Sequence, residues 1–247
     1  MLFNTLLFTF LASIVSLFLV GILLLHKNLI KKISFSLVSF AAGALLATGF
    51  LDTFKEAVDQ GGDNVYLITT LSIAAFFLIE RLFLSLHHHE HVEEEGHIKM
   101  PTSLLLFGDG LHNFIDGISI AASFLVSFPL GVITSLAVFI HEIPHELGDF
   151  GILVHKGWGR GRVLLFNIAT GIASLLGAFL AYYFASSFKE LVPVLLAITT
   201  GNFIYLSATD LLPEIHDRAQ KTPALNHVLF FFLGILLIAL LTHFIKG

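Results

Sequence analysis

The sequence predicts an all-α membrane protein with eight transmembrane helices and with both termini on the extracytoplasmic side. The composition is the first reason: 56% of the 247 residues are hydrophobic, 13% are charged, and the mean hydropathy is +0.89. The second is that apolar runs of about 20 residues, the length that crosses a bilayer, recur along the whole chain. The third is an uneven distribution of Lys and Arg between alternate connections.

The apolar runs give the helices in order. The run 2–25 has no basic start and no small-residue cleavage site, and it is too long for a signal peptide. We therefore interpret it as the first span. The others are 33–57, 65–86, 102–126, 129–154, 162–186, 191–212 and 225–245. They leave no room for a soluble domain, so residues 1–247 are predicted to form a single transmembrane domain.

Positive charges predict the orientation. Because cytoplasmic loops carry an excess of Lys and Arg, the connections after helices one, three, five and seven are predicted to be cytoplasmic. An even number of spans then places both termini outside. The predicted cytoplasmic set is Lys27, Lys31, Lys32, Arg81, Lys99, Lys156, Arg160, Arg162, Arg218 and Lys221, and the opposite set is Lys55, Lys189 and Lys246.

The outer end of helix two and the turn after it are acidic. We expect this segment either to attract cations towards an entrance or to be an ordinary solvated loop. Its carboxylates are Asp52, Glu56, Asp59 and Asp63.

A His-rich connection, 87–101, follows helix three on the predicted cytoplasmic side. Residues 87–97 hold five His and four Glu, a composition that cannot build a packed core. Such tracts bind zinc, copper or nickel loosely, so metal capture is one interpretation and an inert linker is the other. An engineered tag is disfavoured because the tract is internal and interrupted by Glu.

Helices four and five carry six side chains of metal-ligand type within apolar runs. An ionisable side chain at the bilayer centre costs on the order of 2.5–3.5 kcal/mol by insertion scales, unless it faces a partner or a polar path. A concentration of such groups on two neighbouring spans predicts a cation site at membrane depth. The six are His112, Asn113, Asp116, His141, Glu142 and His145.

Helical spacing groups these side chains. Positions four apart share a face, so His112 pairs with Asp116 and His141 pairs with His145. If the two faces meet, three imidazoles and one carboxylate suffice for a tetrahedral zinc shell. Asn113 and Glu142 lie one step round each helix and would form a second, oxygen-richer site, bridged by Asp116. The chain has no Cys, and the ligand set suits zinc, iron(II), manganese or cadmium.

Helices four and five also contain proline and glycine residues that affect the backbone. Pro144 lies inside helix five, where it removes a hydrogen bond from the carbonyl of Ile140. Glycines on both helices are expected to permit close approach; they are Gly108, Gly110, Gly117, Gly148 and Gly151. Weaker candidates for an ion path are Asp52, Glu56, Glu80, Asp109, Glu146, Asp149, Asp210 and Glu214.

Two motifs carry a family resemblance. Gly-Asp-Gly-Leu-His-Asn-Phe-Ile-Asp-Gly (108–117) and His-Glu-Ile-Pro-His-Glu-Leu-Gly-Asp (141–149) resemble helices four and five of the ZIP (Zrt/Irt-like protein) metal transporters. The second motif is similar to the branch with a His-Glu-x-Pro-His-Glu signature. The segments 76–81 and 210–214 also resemble that branch, and the resemblance covers the whole chain.

The resemblance implies a non-enzymatic transporter that moves divalent metal, most of all zinc, into the cytoplasm by alternating access. It implies a binuclear site made of the six residues named above, with iron, manganese and cadmium as further substrates. It also implies a multi-pass homodimer in the plasma (inner) membrane, with no organic cofactor and no nucleic acid partner. One departure is that helix six, around 167–174, lacks the carboxylate that some members place in the second site.

Two rival functions remain at this stage. The run His141-Glu142-x-x-His145 matches the H-E-x-x-H pattern of zinc proteases, which makes an intramembrane metalloprotease the alternative. Pro144 would distort that helix, and the second cluster offers a fuller shell than a catalytic zinc needs. The other rival is a metal sensor or receptor that does not transport.

Overall fold

Eight helices account for most of the computed structural model, which describes residues 1–24, 27–85, 102–213, 215 and 224–246. The His-rich connection 87–101 lies outside the described residues, as does Glu214. No β-strand occurs in the described ranges. The helices are α1 Leu2–Leu24, α2 27–61, α3 Asn64–Ser85, α4 Thr102–Val126, α5 Phe128–His155, α6 Arg160–Ser187, α7 Leu191–Leu211 and α8 Ala224–Lys246.

Seven of these helices are long and apolar enough to cross a membrane, with α2 qualifying over Ser36–Gly61. The eighth, α4, has 25 residues and is about 37 Å long at 1.5 Å per residue. It is the helix that carries Asp109, His112, Asn113 and Asp116. The predicted all-helical, multi-pass architecture is confirmed, while the side on which each terminus lies stays a prediction.

Helices α4 and α6 touch backbone to backbone. A Cβ atom on Gly117 would lie 1.9 Å from the carbonyl oxygen of Ser174, and one on Gly177 would lie 2.1 Å from that of Phe114. Glycine at both positions is what allows this approach. The expectation of close approach was wrong for Gly108, Gly148 and Gly151, which have open space, and Gly110 has only a distant neighbour.

Two further pairs of helices also approach closely at a glycine. For α2 and α8, a Cβ on Gly43 would lie 2.0 Å from the carbonyl oxygen of Phe231. For α3 and α7, a Cβ on Gly201 would lie 2.6 Å from the Ser72 side chain. These contacts hold six of the helices in three tight pairs, α4 with α6, α2 with α8 and α3 with α7.

In the described part of the chain, three helices contain a π-helical turn: Leu11–Val15 in α1, Thr48–Phe54 in α2 and Leu206–Leu211 in α7. The turn in α2 holds Asp52, which is buried and accepts a 2.8 Å hydrogen bond from Thr242 on α8. The solvated-loop interpretation was therefore wrong for Asp52, while a role of the acidic segment in attracting cations stays a prediction. A π-helical turn holds an additional residue and so displaces side chains from the α-helical pattern.

An apolar cluster lies beside the polar face of α5. It joins α1, α2, α4, α5 and α7, and all of its core members are buried. The ring of Phe203 lies 6.5 Å from that of His141, centroid to centroid. The cluster consists of Ala12, Leu45, Ile120, Phe124, Ala137, Val138 and Phe203.

Candidate metal centre

Four predicted side chains from α4 and α5 meet in one group, here called the first group: His112, Asp116, His141 and Glu142. One ligand atom from each lies within 4.8 Å of the others. His141 Nε2 is 2.9 Å from Asp116 Oδ2 and 3.3 Å from His112 Nε2, and His112 Nε2 is 3.5 Å from Glu142 Oε1. Ligand atoms about 2.1 Å from one zinc ion are roughly 3.4 Å apart in a tetrahedron, so these spacings fit a shared ion.

The ring of His141 is oriented by the backbone. Its Nδ1 atom lies 3.1 Å from the carbonyl oxygen of Ala137. A neutral imidazole that donates its Nδ1 proton to this carbonyl keeps the Nε2 lone pair for a metal ion. Helix α5 therefore provides both the ligand atom and the acceptor that sets its tautomer.

Burial makes the first group costly without a cation. Asp116 and Glu142 are buried, and Glu142 Oε1 has no hydrogen-bond partner. Within the described ranges, the ion-pair partners of these two carboxylates are imidazoles and not Lys or Arg. Buried carboxylates without compensation are strongly unfavourable, and a divalent cation would supply that compensation.

A second group lies beside the first and comprises Asp109, His145 and Asp149. One ligand atom from each again lies within 4.8 Å of the others, and His145 Nε2 is 3.6 Å from Asp149 Oδ2. The rings of His145 and His112 are 4.5 Å apart, centroid to centroid. The two groups are therefore adjacent.

The structure distributes the six predicted residues differently from the expected division into a His-rich and an oxygen-rich site. The first group has two imidazoles and two carboxylates, with Glu142 in it. His145 lies in the second group. Asn113 is in neither group; its Nδ2 donates a 2.9 Å hydrogen bond to Asp109 Oδ1, and its Oδ1 atom has no hydrogen-bond partner.

Asp109, Asp149 and Glu146 were only weak candidates from the sequence. Their spacing gave a usable signal, because Asp109 lies four residues before Asn113 and Asp149 lies four residues after His145. Glu146 is buried and accepts a hydrogen bond from the amide of Asn167 on α6. Helix α6, which lacks a carboxylate here, thus contributes an amide next to the centre.

A cavity of about 210 Å³ reaches both groups. Its wall includes His112 and His141 from the first group and His145 and Asp149 from the second. It extends along α5 as far as Ile152, near the end of that helix. The remaining lining residues are Leu45, Pro144, Gly148, Leu206, Asp210 and Leu211.

A further polar contact lies near the end of α7. The Tyr205 hydroxyl donates to Glu80 on α3, and Thr209 Oγ1 donates a 3.1 Å hydrogen bond to Asp210. Of these residues, only Asp210 lines the cavity. The contact therefore ties α3 to α7 without joining either metal-ligand group.

Buried imidazoles and carboxylates on membrane-length helices, reached by a cavity, define a multi-pass membrane protein equipped to handle a metal cation. Comparison with known proteins agrees with this class. The sequence model of the family described as "ZIP Zinc transporter" matches residues 85–242, more than half of the chain. The chain belongs to the ZIP zinc transporter family, and it is a transporter rather than an enzyme.

Individual relatives give the same result. The chain is 32% identical over 225 residues to zinc transporter ZIP13 of Pongo abelii, covering 85% of this chain and 67% of that protein. It is 29% identical over 253 residues to zinc transporter ZIP13 of Mus musculus, with 85% and 70% covered. A shorter match, 42% identical over 132 residues, is to zinc transporter ZIP4 of Homo sapiens, with 53% and 20% covered. The protease alternative is not favoured.

Proposed function

We propose that this chain transports zinc, and related divalent cations, across the membrane into the cytoplasm, with the first group as the transport site. The carrying observation is the meeting of His112, Asp116, His141 and Glu142, with ligand atoms within 4.8 Å, beside a cavity that the two histidines line. Zinc, cadmium, manganese and iron(II) all accept such mixed imidazole and carboxylate ligands. The names of the relatives support zinc as the main substrate.

Ligand chemistry supports exchange over permanent binding. Structural zinc sites are closed and often use thiolates, and this chain has no Cys. In the first group, the His112 side chain retains 9% exposure and lines the cavity, whereas Asp116 is fully buried. One side of the group is therefore open to an entering or leaving ion.

The depth of the group supports a path across the membrane. His141 is the fourteenth of the 28 residues of α5. At 1.5 Å per residue it lies about 20 Å from either end of that helix. Metal bound here is at the middle of a span, where a transport site must exchange with both sides in turn.

One-sided access supports an alternating mechanism. The cavity extends from the first group towards Ile152 on α5 and Asp210 on α7. In the other direction, buried apolar residues of α4, α5 and α7 close the path, among them Phe124 and Phe203. With the predicted orientation, the open end faces the cytoplasm and the closed end faces outwards.

The packing also supports a division into two moving parts. Backbone contact between α4 and α6 makes one rigid pair, and contact between α2 and α8 makes another. The cavity is lined by histidines of α4 and α5 and also by Leu45 of α2 and Leu206 of α7. We propose that the bundle with α4 and α5 moves against α2 and α7.

Assembly and location complete the proposal. We propose a homodimer in the plasma (inner) membrane, in a lipid bilayer, with no organic cofactor. Support comes from α3 and α8, whose apolar windows are only 17% and 11% buried within the single chain. Cross-linking in native membranes and fractionation of the membranes test both parts.

Uptake by purified protein tests the transport proposal. Proteoliposomes should accumulate zinc above protein-free liposomes, and the same vesicles should be measured with cadmium, manganese and iron(II). A parallel series with an imposed pH gradient shows whether proton movement is coupled. Vesicles that hold folded protein and bind zinc without accumulating it would instead favour a sensor.

A further inference from the structure

We propose that the second group, Asp109, His145 and Asp149, is a cation site in its own right, which receives the ion from the first group and releases it into the cavity. This inference rests on the proposed transport function and deepens it. It assigns metal-ligand roles to Asp109 and Asp149, which lie outside the six residues implied by the family resemblance.

The second group brings together ligand atoms from α4 and α5. His145 and Asp149 are one helical turn apart on α5, and their Nε2 and Oδ2 atoms are separated by 3.6 Å. Asp109 approaches from α4, so that three ligand atoms from two helices lie within 4.8 Å. Three protein ligands fill three positions of a zinc shell and leave the fourth for water or another ligand.

Asp109 has a buried carboxylate oxygen without a hydrogen-bond partner. Asp109 is 5% exposed, and its two carboxylate oxygens differ in their hydrogen bonding. Asn113 donates to Oδ1 at 2.9 Å, whereas Oδ2 has no hydrogen-bond partner. An amide that fixes one oxygen while the other remains available is the usual second-shell support of a ligating carboxylate.

The two carboxylates of the second group have few ion-pair partners. Asp149 is 6% exposed, and within the described part of the chain its ion-pair partner is His145 alone. Asp109 has no ion-pair partner among those residues. When both are ionised, two buried carboxylates beside one imidazole carry net negative charge in an apolar surrounding, and a divalent cation would neutralise it.

The second group lies next to the first group, and two of its residues line the cavity. His112 belongs to the first group and its ring is 4.5 Å from that of His145. His145 retains 31% side-chain exposure and lines the cavity together with Asp149. An ion can therefore pass from His112 to His145 without leaving the protein and can then reach the water of the cavity.

Ligand number gives the direction of transfer. The first group offers four ligands, two of them imidazoles, and the second group offers three, one of them an imidazole. Because imidazole suits zinc and carboxylate suits harder ions, zinc should bind the second group more weakly than the first. A weaker site next to the cavity promotes release.

Zinc binding to the purified full-length protein tests the inference. Equilibrium dialysis should find two ions on the wild-type chain, one tight and one weak. Asp149→Asn and, separately, Asp109→Asn should each lose the weak ion, and the tight dissociation constant should change less than about threefold because the first-group ligands are unaltered. Glu190→Gln removes the same charge at an exposed position and should keep both ions.

Zinc uptake by the same variants provides a second measurement. In proteoliposomes, Asp149→Asn should lower the maximal rate by about tenfold or more, as losing a metal-site group does, while the half-saturating concentration stays close to wild type. Asp149→Glu keeps a carboxylate and should restore part of the rate.

Folding is checked by gel filtration and by thermal unfolding without zinc. Loss of a buried, uncompensated charge should not lower the unfolding temperature of Asp149→Asn. A folded Asp149→Asn or Asp109→Asn that still binds two ions overturns the inference, and so does a folded variant that loses both. If the wild-type protein fails to take up zinc, the transport function is refuted. If the wild-type protein takes up zinc normally but binds a single ion, and Asp149→Asn still binds that ion, only the second site is refuted.

Discussion

His141 Nε2 lies 2.9 Å from Asp116 Oδ2, and this contact joins α5 to α4 near the middle of both helices. An imidazole nitrogen and a carboxylate oxygen that share a zinc ion are roughly 3.4 Å apart. To bind an ion between them, these two atoms need to move apart by only a few tenths of an ångström. The first group is nearly preorganised for its substrate.

His141→Ala should abolish zinc uptake. The substitution removes a ligand of the first group together with its link to Asp116. We expect a loss of roughly 100-fold or more, larger than the typical effect of a supporting residue. The measurement is zinc uptake in proteoliposomes at matched protein content. His243→Ala, at an exposed position on α8, is the control and should retain uptake. Substantial uptake by a well-inserted His141→Ala would remove this residue from the site.

Glu142→Ala should be as inactive as His141→Ala for every metal. Glu142 Oε1 lies 3.5 Å from His112 Nε2, within the first group. His145→Ala should differ, because His145 belongs to the second group and its loss should leave the tight ion in place. Uptake and binding of zinc, cadmium and manganese by both variants provide the comparison. Glu142→Ala with normal zinc uptake but altered manganese uptake would instead support the division expected from the sequence.

Gly117→Ala should destabilise the protein. A Cβ at this position would lie 1.9 Å from the carbonyl oxygen of Ser174, so α4 and α6 must separate. Overpacking of this kind costs about 1–3 kcal/mol. Thermal unfolding in detergent measures the effect. Gly108→Ala is the control, because no atom lies within 4 Å of its Cβ position and Ala is the better helix former. Equal unfolding temperatures for the two variants would contradict the packing.

Asn167→Leu should also lower the unfolding temperature. It removes the amide that donates to Glu146 and leaves a buried carboxylate without that partner. An unsatisfied buried group costs about 1–3 kcal/mol. In a double-mutant cycle, Glu146→Leu combined with Asn167→Leu should cost less than the two single losses added together. Simple additivity would show that the contact contributes little.

Cysteine labelling should establish the orientation. The chain has no Cys, so an introduced thiol is labelled without background. Asp63→Cys, at the turn between α2 and α3, should react with a membrane-impermeant reagent in intact cells. Arg160→Cys, at the start of α6, should react only after permeabilisation. The reverse pattern would contradict the orientation inferred from Lys and Arg.

Most of the fold could be predicted because membrane-spanning helices are specified locally. Apolar length gave the spans, including α4, whose polar residues still lie within a helix of 25 residues. The four-residue spacing also gave the two pairs of polar side chains on shared faces. These inferences need no information about the rest of the chain.

The division of ligands between the two groups could not be predicted. It depends on how α4 is rotated against α5, and distant contacts such as Gly117 against Ser174 set that rotation. The amide of Asn113 donates to Asp109 one turn earlier on the same helix, a contact that i, i+4 spacing allows but that ligand chemistry alone did not favour. Asp52 was misplaced for a related reason, because the π-helical turn around it breaks the regular helical phase.

The π-helical turn Leu206–Leu211 has a consequence for how relatives of this chain are compared. A π-helical turn arises when one residue is added to an α-helix without lengthening the span by a full turn. Phe203, which precedes the turn and lies in the apolar cluster, and Asp210, which lies within the turn and lines the cavity, therefore follow different angular registers. A single-residue gap in an alignment at this turn would mark its loss in a relative, and residues beyond such a gap should be compared by the face they occupy.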